Sequence, residues 1–187
     1  MHFEGKSAVF LTLKKITQRL KELNVPYAVA GGMALFFHGV RRFTEDLHIL
    51  VRREDLPEIH RRLEGFGYLP VFSGSKNLRD TESGVRIEFL VTGDYPGDGK
   101  PKPVAFPEPA KTSLEKEGIR WLTLPALIEL KLASGMTNPA WLKDLADVQE
   151  LIRILNLPLE YREQLQPFVR EKYVELWQSV KANPADI

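Results

Sequence analysis

Residues 27–51, YAVAGGMALFFHGVRRFTEDLHILV, decide how the rest of the chain is read. An apolar run from Tyr27 to Ala30 stops at Gly31-Gly32, and the apolar segment Met33 to His38, closed by Gly39, reads as a short helix. Arg41-Arg42 form a basic turn that leads through Thr44, Glu45 and Asp46 into a second apolar run, Leu47 to Val51. Two strands joined by a Gly-Gly turn and a short helix place acidic residues at the start of the second strand. Such a stretch suits a polyphosphate and its metal. Glycines let the backbone approach phosphate, and the N–H groups of a helix start favour an anion. Residues i and i+2 of a strand share a face, so Asp46 and His48 are expected to point the same way.

Upstream, residues 7–23 carry Val9, Leu11, Leu13, Ile16, Leu20 and Leu23 at mostly helical spacing, with a Lys- and Arg-rich opposite face. Asn24-Val25-Pro26 ends that helix, because proline disfavours a helical residue before it. Downstream, Arg52 to Gly65 reads as a helix with Glu54, Asp55 and Glu58 near its positive end. Tyr68 to Phe72 reads as a strand, and Leu78 to Ser83 as one arm of a hairpin turning at Gly84. In Val85 to Val91, Ile87 and Phe89 alternate with Arg86 and Glu88, which puts Glu88 on the face away from the core. Residues 92–109 hold too many prolines and glycines for a regular element. A loop of this length is usually functional or mobile; Lys100 and Lys102 stand either near the active face or in a purely structural wrap. Ile119 to Leu124 is the last expected strand. PALIELKLASGM and PAWLKDLADVQELIRILN are two helices broken at 135–139, and residues 160–182 add one or two more, broken near Pro167. The tail KANPADI is expected to fray.

The chain has 187 residues, enough for one domain or one domain with a small helical appendage. It has no cysteine, which excludes disulfides, thiol catalysis and cysteine-based zinc sites. Lys and Arg number 26 against 25 Asp and Glu, so no global field draws nucleic acid or membrane. No run approaches the ~20 apolar residues of a membrane span, and the N-terminus lacks the apolar core of a secretory signal. The expectation is a cytoplasmic protein without membrane partners.

The order of these residues resembles the nucleotidyltransferase superfamily, whose fold is that of DNA polymerase β. There a Gly-Gly or Gly-Ser turn precedes an Asp-x-Asp pair, and a third carboxylate sits on a later strand. The matching positions are Gly31, Gly32, Asp46, His48 where the second Asp is expected, and Glu88. The form GG-(x)5-HG-(x)4-T-x-D looks most like the minimal nucleotidyltransferases and the abortive-infection toxins related to them. The resemblance covers about residues 25–155.

It implies an α/β (α+β) architecture, with a mixed-sheet core and N-terminal helix over residues 1–124 and a C-terminal helical bundle over 125–187. It also implies Mg²⁺- or Mn²⁺-dependent transfer of a nucleoside monophosphate from a nucleoside triphosphate to a hydroxyl on a protein, a tRNA or a small molecule. Asp46 would bridge the metals, Glu88 would hold the catalytic metal or act as base, and Thr44 would orient Asp46. Arg41 and Arg42 would meet the triphosphate, since guanidinium pairs bidentately with phosphate. KLASGM and LKDLAD resemble a segment in which a lysine and a Lys-Asp-x-x-Asp stretch face the cleft, which brings in Lys131, Lys143, Asp144 and Asp147. Asp144 and Asp147 share a helix face, so either can partner one of the lysines.

His48 departs from the pattern. A neutral imidazole brings no charge, and Mg²⁺ prefers oxygen. Three readings stay open: a site adapted to Mn²⁺ or a single metal, a degenerate enzyme that binds nucleotide without transfer, and a histidine packed as an ordinary strand residue. The rival to a transferase is a nucleotide- or protein-binding module, for example one working with an antitoxin partner.

Overall fold

Short apolar runs cut by glycine and proline build strands, and the computed structural model, which describes residues 7–184, joins seven of them into one mixed sheet. They are β1 (Tyr27–Ala30), β2 (Leu47–Val51), β3 (Tyr68–Pro70), β4 (Leu78–Asp80), β5 (Arg86–Val91), β6 (Ser113–Lys116) and β7 (Ile119–Leu122). Their order across the sheet is β3-β4-β5-β2-β1-β7-β6. Every residue of β1 is buried, as is every residue of β2 except His48, so these two take the centre, where both faces are covered. β2 runs antiparallel to β1 and parallel to β5. In β5 the alternation holds as expected: Ile87, Phe89 and Val91 are buried, and Arg86, Glu88 and Leu90 are half-buried.

The outer strands show why an edge is hard to read. β6 is SLEK, nearly all exposed, and no hydrophobic pattern announces it. An edge strand need bury little; this one is held by a two-residue turn, Glu117-Gly118, with φ of 55° and 77°. Two positive φ values are the geometry of a tight hairpin. The opposite edge, β3, is closed. The carbonyl of Tyr68 accepts from Gly65 N–H at 3.0 Å, and Pro70 has no N–H to offer.

The described residues group into two compact units. The first comprises the described residues through Ala34, Arg42–Thr92 and Glu108–Leu122, and so contains the whole sheet. The helix α1 (Ala8–Glu22) starts at the N-cap Ser7, whose hydroxyl accepts from Phe10 N–H, and buries Leu13, Ile16 and Leu20. It is tied to the end of β4 by Asp80, a fully buried carboxylate that takes Thr12 Oγ1 at 3.1 Å, Lys15 Nζ at 3.0 Å and Glu82 N–H at 2.9 Å.

The second unit comprises Leu35–Arg41, Gly93–Pro107 and the described residues from Thr123. Its helices are α4 (Leu124–Thr137), α5 (Leu142–Leu155) and α6 (Pro167–Ala182). α4 and α5 come so close that a Cβ on Gly135 would stand 2.5 Å from Leu145 Cγ. Tyr173 is fully buried, and its hydroxyl donates to the Pro158 carbonyl at 2.9 Å. Glu129 accepts from Gln166 N–H at 2.7 Å just before α6, and burial raises its carboxyl above the ordinary value against that hydrogen bond.

Some boundaries differ from expectation. The helix α2 runs Gly31–Phe37 and begins on Gly31 itself rather than after a Gly-Gly turn. Arg52 to Gly65 divides into a 3-10 turn, Arg53–Asp55, and α3 (Leu56–Leu63), with Pro57 in the first turn of the latter. β3 stops at Pro70, and α4 starts at Leu124 rather than at Pro125. The expectations placed on the extreme N-terminus and on the last residues of the tail fall partly on 1–6 and 185–187, outside the described residues. Among the described residues no helix is long and apolar enough to cross a membrane.

Candidate functional site

The register of the central strands assembles a row of side chains. Ala30 of β1 stands opposite His48, and His48 stands opposite Glu88 of β5. Both His48 and Glu88 remain partly open, at 36% and 26% side-chain exposure, amid an otherwise buried strand pair. His48 Nε2 lies 3.4 Å from Glu88 Oε2, a charge contact only when the ring is protonated.

Gly31 explains how the imidazole is seated. A Cβ at this position would stand 2.7 Å from His48 Nδ1, and its φ of +60° lies where side chains are rarely tolerated. Gly32 has the same relation to Thr44, whose Oγ1 and Cβ lie 2.9 Å from where a Cβ would be. The room left by the two glycines is therefore taken by the protein's own His48 and Thr44. Thr44 Oγ1 donates to the main-chain carbonyl of Asp46 at 3.1 Å, so it fixes Asp46 through the backbone and not through the carboxylate. Asp46 is half-buried and sits in the bend one residue before β2, not on the strand.

Glu88 is also engaged from its own strand. Arg86, two residues earlier on the same face, places Nη2 2.6 Å from Glu88 Oε1. Arg86 Nε is buried and takes no hydrogen-bond partner among the described residues. A desolvated donor of this kind costs on the order of 1–3 kcal/mol, which the short charged contact at Nη2 has to offset. The sequence reading missed Arg86, although its signal was there: opposite charges at i and i+2 of one strand lie side by side.

A two-metal transfer centre needs hard oxygen ligands converging on divalent cations. Among the described residues no group of three or more His, Asp or Glu side chains is placed to hold a metal ion. Glu88 is already bound to a guanidinium, and among the described residues no third ligand is grouped with it and His48. The residues present do not fit a Mg²⁺ pair.

The other expected ligand contacts divide. Arg41 and Arg42 are exposed, followed by Phe43 at 85% exposure. Lys131, in the helical unit, is buried: its ammonium contacts Asp144 Oδ1 at 2.9 Å and Asp147 Oδ2 at 2.8 Å, and Ser134 Oγ donates to Asp144 at 2.7 Å. Lys143 is exposed, its ammonium 4.9 Å from the centre of the Trp141 ring. Lys102 is bound within its own loop by Asp98 and the carbonyls of Pro96 and Lys100, each at 2.7 Å.

A mixed sheet of this kind, flanked by helices, is the nucleotidyltransferase fold. Two solved structures share the fold. The chain is similar to the solution structure of the antibiotic-resistance factor ANT(2″)-Ia, with TM-score 0.54 and 15% identity over 91% of this chain and 92% of that one. It is also similar to an antigenic nucleotidyltransferase-like protein from Paracoccidioides brasiliensis, with TM-score 0.55 and 15% identity over 93% of this chain and 88% of that one. No family model and no curated protein matches the sequence.

Proposed function

We propose that this is a nucleotidyltransferase-fold protein that binds a nucleoside triphosphate without carrying out two-metal transfer. One observation carries the reading: Glu88 is held at 2.6 Å by Arg86 and faces an imidazole where a transferase needs a second acid. Arg86 supplies internally the positive charge that a metal would otherwise bring to this carboxylate. The fold supports the ligand class, since its named neighbours are a nucleotidyltransferase-like protein and an antibiotic-resistance factor of the same architecture.

The test is a pair of measurements on the unmodified chain. Equilibrium binding of labelled nucleoside triphosphates should saturate in the presence of a chelator. Incubation of the same nucleotides with Mg²⁺ or Mn²⁺ should transfer no label to protein, tRNA or small hydroxyl compounds. Metal-dependent transfer that disappears in Asp46→Asn would overturn the reading.

A second reading is a working transferase on an adapted site, passing a nucleoside monophosphate to a hydroxyl. The observation on its side is the register, which sets Glu88 directly across from His48 at the positions the resemblance assigns to ligands. The transfer assay decides between the two.

A further inference from the structure

We infer that Arg86 is a resident counter-cation that keeps divalent metal from Glu88 and His48, and that removing it unmasks a transition-metal site on those two side chains. The inference deepens the metal-free reading of the site and does not depend on which nucleotide binds there.

Three features carry it. First, the donor atoms are already side by side. Glu88 Oε2 and His48 Nε2 are 3.4 Å apart on adjacent strands locked in register, so a metal would need little rearrangement to engage both. Second, the imidazole is seated with Nδ1 against Gly31 and Nε2 toward Glu88. That seating leaves Nε2, not Nδ1, as the nitrogen turned toward the carboxylate. Third, a fixed cation is bound to the carboxylate itself, with Arg86 Nη2 2.6 Å from Glu88 Oε1. A guanidinium does not deprotonate in proteins, so no change of pH releases Glu88 from it. In a partly shielded site a unit charge at this distance repels an arriving dication far more than it would in water. An imidazole–carboxylate pair suits Co²⁺, Ni²⁺ or Zn²⁺ better than Mg²⁺.

The probe is Co²⁺, titrated into the full chain and followed by calorimetry and by its visible absorption. Circular dichroism of each variant confirms that it is folded. Arg86→Gln should bind Co²⁺ at least about tenfold more tightly than wild type. Arg86→Lys, which keeps the charge, should show no gain, and Arg86→Gln/Glu88→Gln should lose it. If Arg86→Gln does not fold, Arg86→Met, which keeps an aliphatic stem of similar reach, serves for the same comparison. Equal Co²⁺ affinity in wild type and the uncharged variants overturns the inference, and so does a gain that survives Glu88→Gln. The two proposals fail separately. Absence of nucleotide binding in wild type removes the ligand and leaves the cobalt comparison standing. Equal cobalt affinity removes the role of Arg86 and leaves nucleotide binding standing.

Discussion

Two clusters in this chain share one recipe, a charge set between two partners, yet they differ in depth. In the helical unit Lys131 is 9% exposed and lies between Asp144 and Asp147, the latter 5% exposed. In the sheet unit Glu88 lies between Arg86 and His48, with side chains 26%, 38% and 36% exposed. Burial raises the cost of leaving any member unpaired, so the first cluster acts as a clamp between α4 and α5. Water screens the second, so its pairing contributes little to stability and its members remain open to a ligand. Depth, more than composition, separates a fastening from a site.

The largest expected effect tests the clamp. Lys131→Met leaves two carboxylates facing each other in a buried setting and should destabilise by roughly 3–5 kcal/mol in chemical denaturation. A loss below about 1 kcal/mol, the range of exposed pairs, would erase the contrast.

A third cluster sharpens it. Asp80 is fully buried like Asp147, but its partner Lys15 keeps 44% of its side chain exposed. Asp80→Asn should cost about 3 kcal/mol, toward the lower end for a buried pair. The pH dependence has a definite sign. Burial alone would raise the Asp80 carboxyl; hydrogen bonds from Lys15, the Glu82 and Ser83 N–H groups and Thr12 outweigh it and hold the group below the usual value. A carboxylate depressed in the folded state gives its full stabilisation above the unfolded value of about 3.9, and loses it as pH falls from there toward the folded value. Acid titration of stability below about pH 4 should therefore be steeper in wild type than in Asp80→Asn, and equal slopes would remove Asp80 from the account.

Within the sheet unit, Gly31→Ala should cost about 2 kcal/mol, from its left-handed backbone and the collision with His48. Pairing it with His48→Ala separates the two causes. The double variant should recover the part due to the ring and keep the part due to φ. The smallest effect is reserved for Arg86→Gln, which should change stability by about 0.5 kcal/mol or less, because the ion pair is partly solvated. A loss as large as that of Lys131→Met would make the site a second clamp.

Much of this was legible in the chain. β1 and β2 were read to the residue, because each is a continuous apolar run stopped by glycine or a charged turn. The face of Glu88 followed from alternation alone. What lies beyond local pattern was not legible. The pairing of His48 with Glu88 is a matter of register, fixed by how distant strands align. The burial of Lys131 ran against the surface prior for lysine and is explained only by two carboxylates one turn apart on the next helix. β6 left no trace because an edge strand with one neighbour need bury almost nothing. Asp46 was expected to share a strand face with His48, yet it lies in the bend at 45–46, one residue before β2, where strand alternation does not set its direction.

The two margins of the sheet also differ in what they permit between molecules. On the β3 side the outward carbonyl of Tyr68 is already spent on Gly65 and the next outward donor is missing at Pro70, whereas β6 runs exposed along its length. Stacking strand upon strand into a fibre requires every molecule to accept a neighbour on both sides. With one margin shut, this sheet can be extended into another copy only along β6, and such edge-to-edge pairing terminates at two.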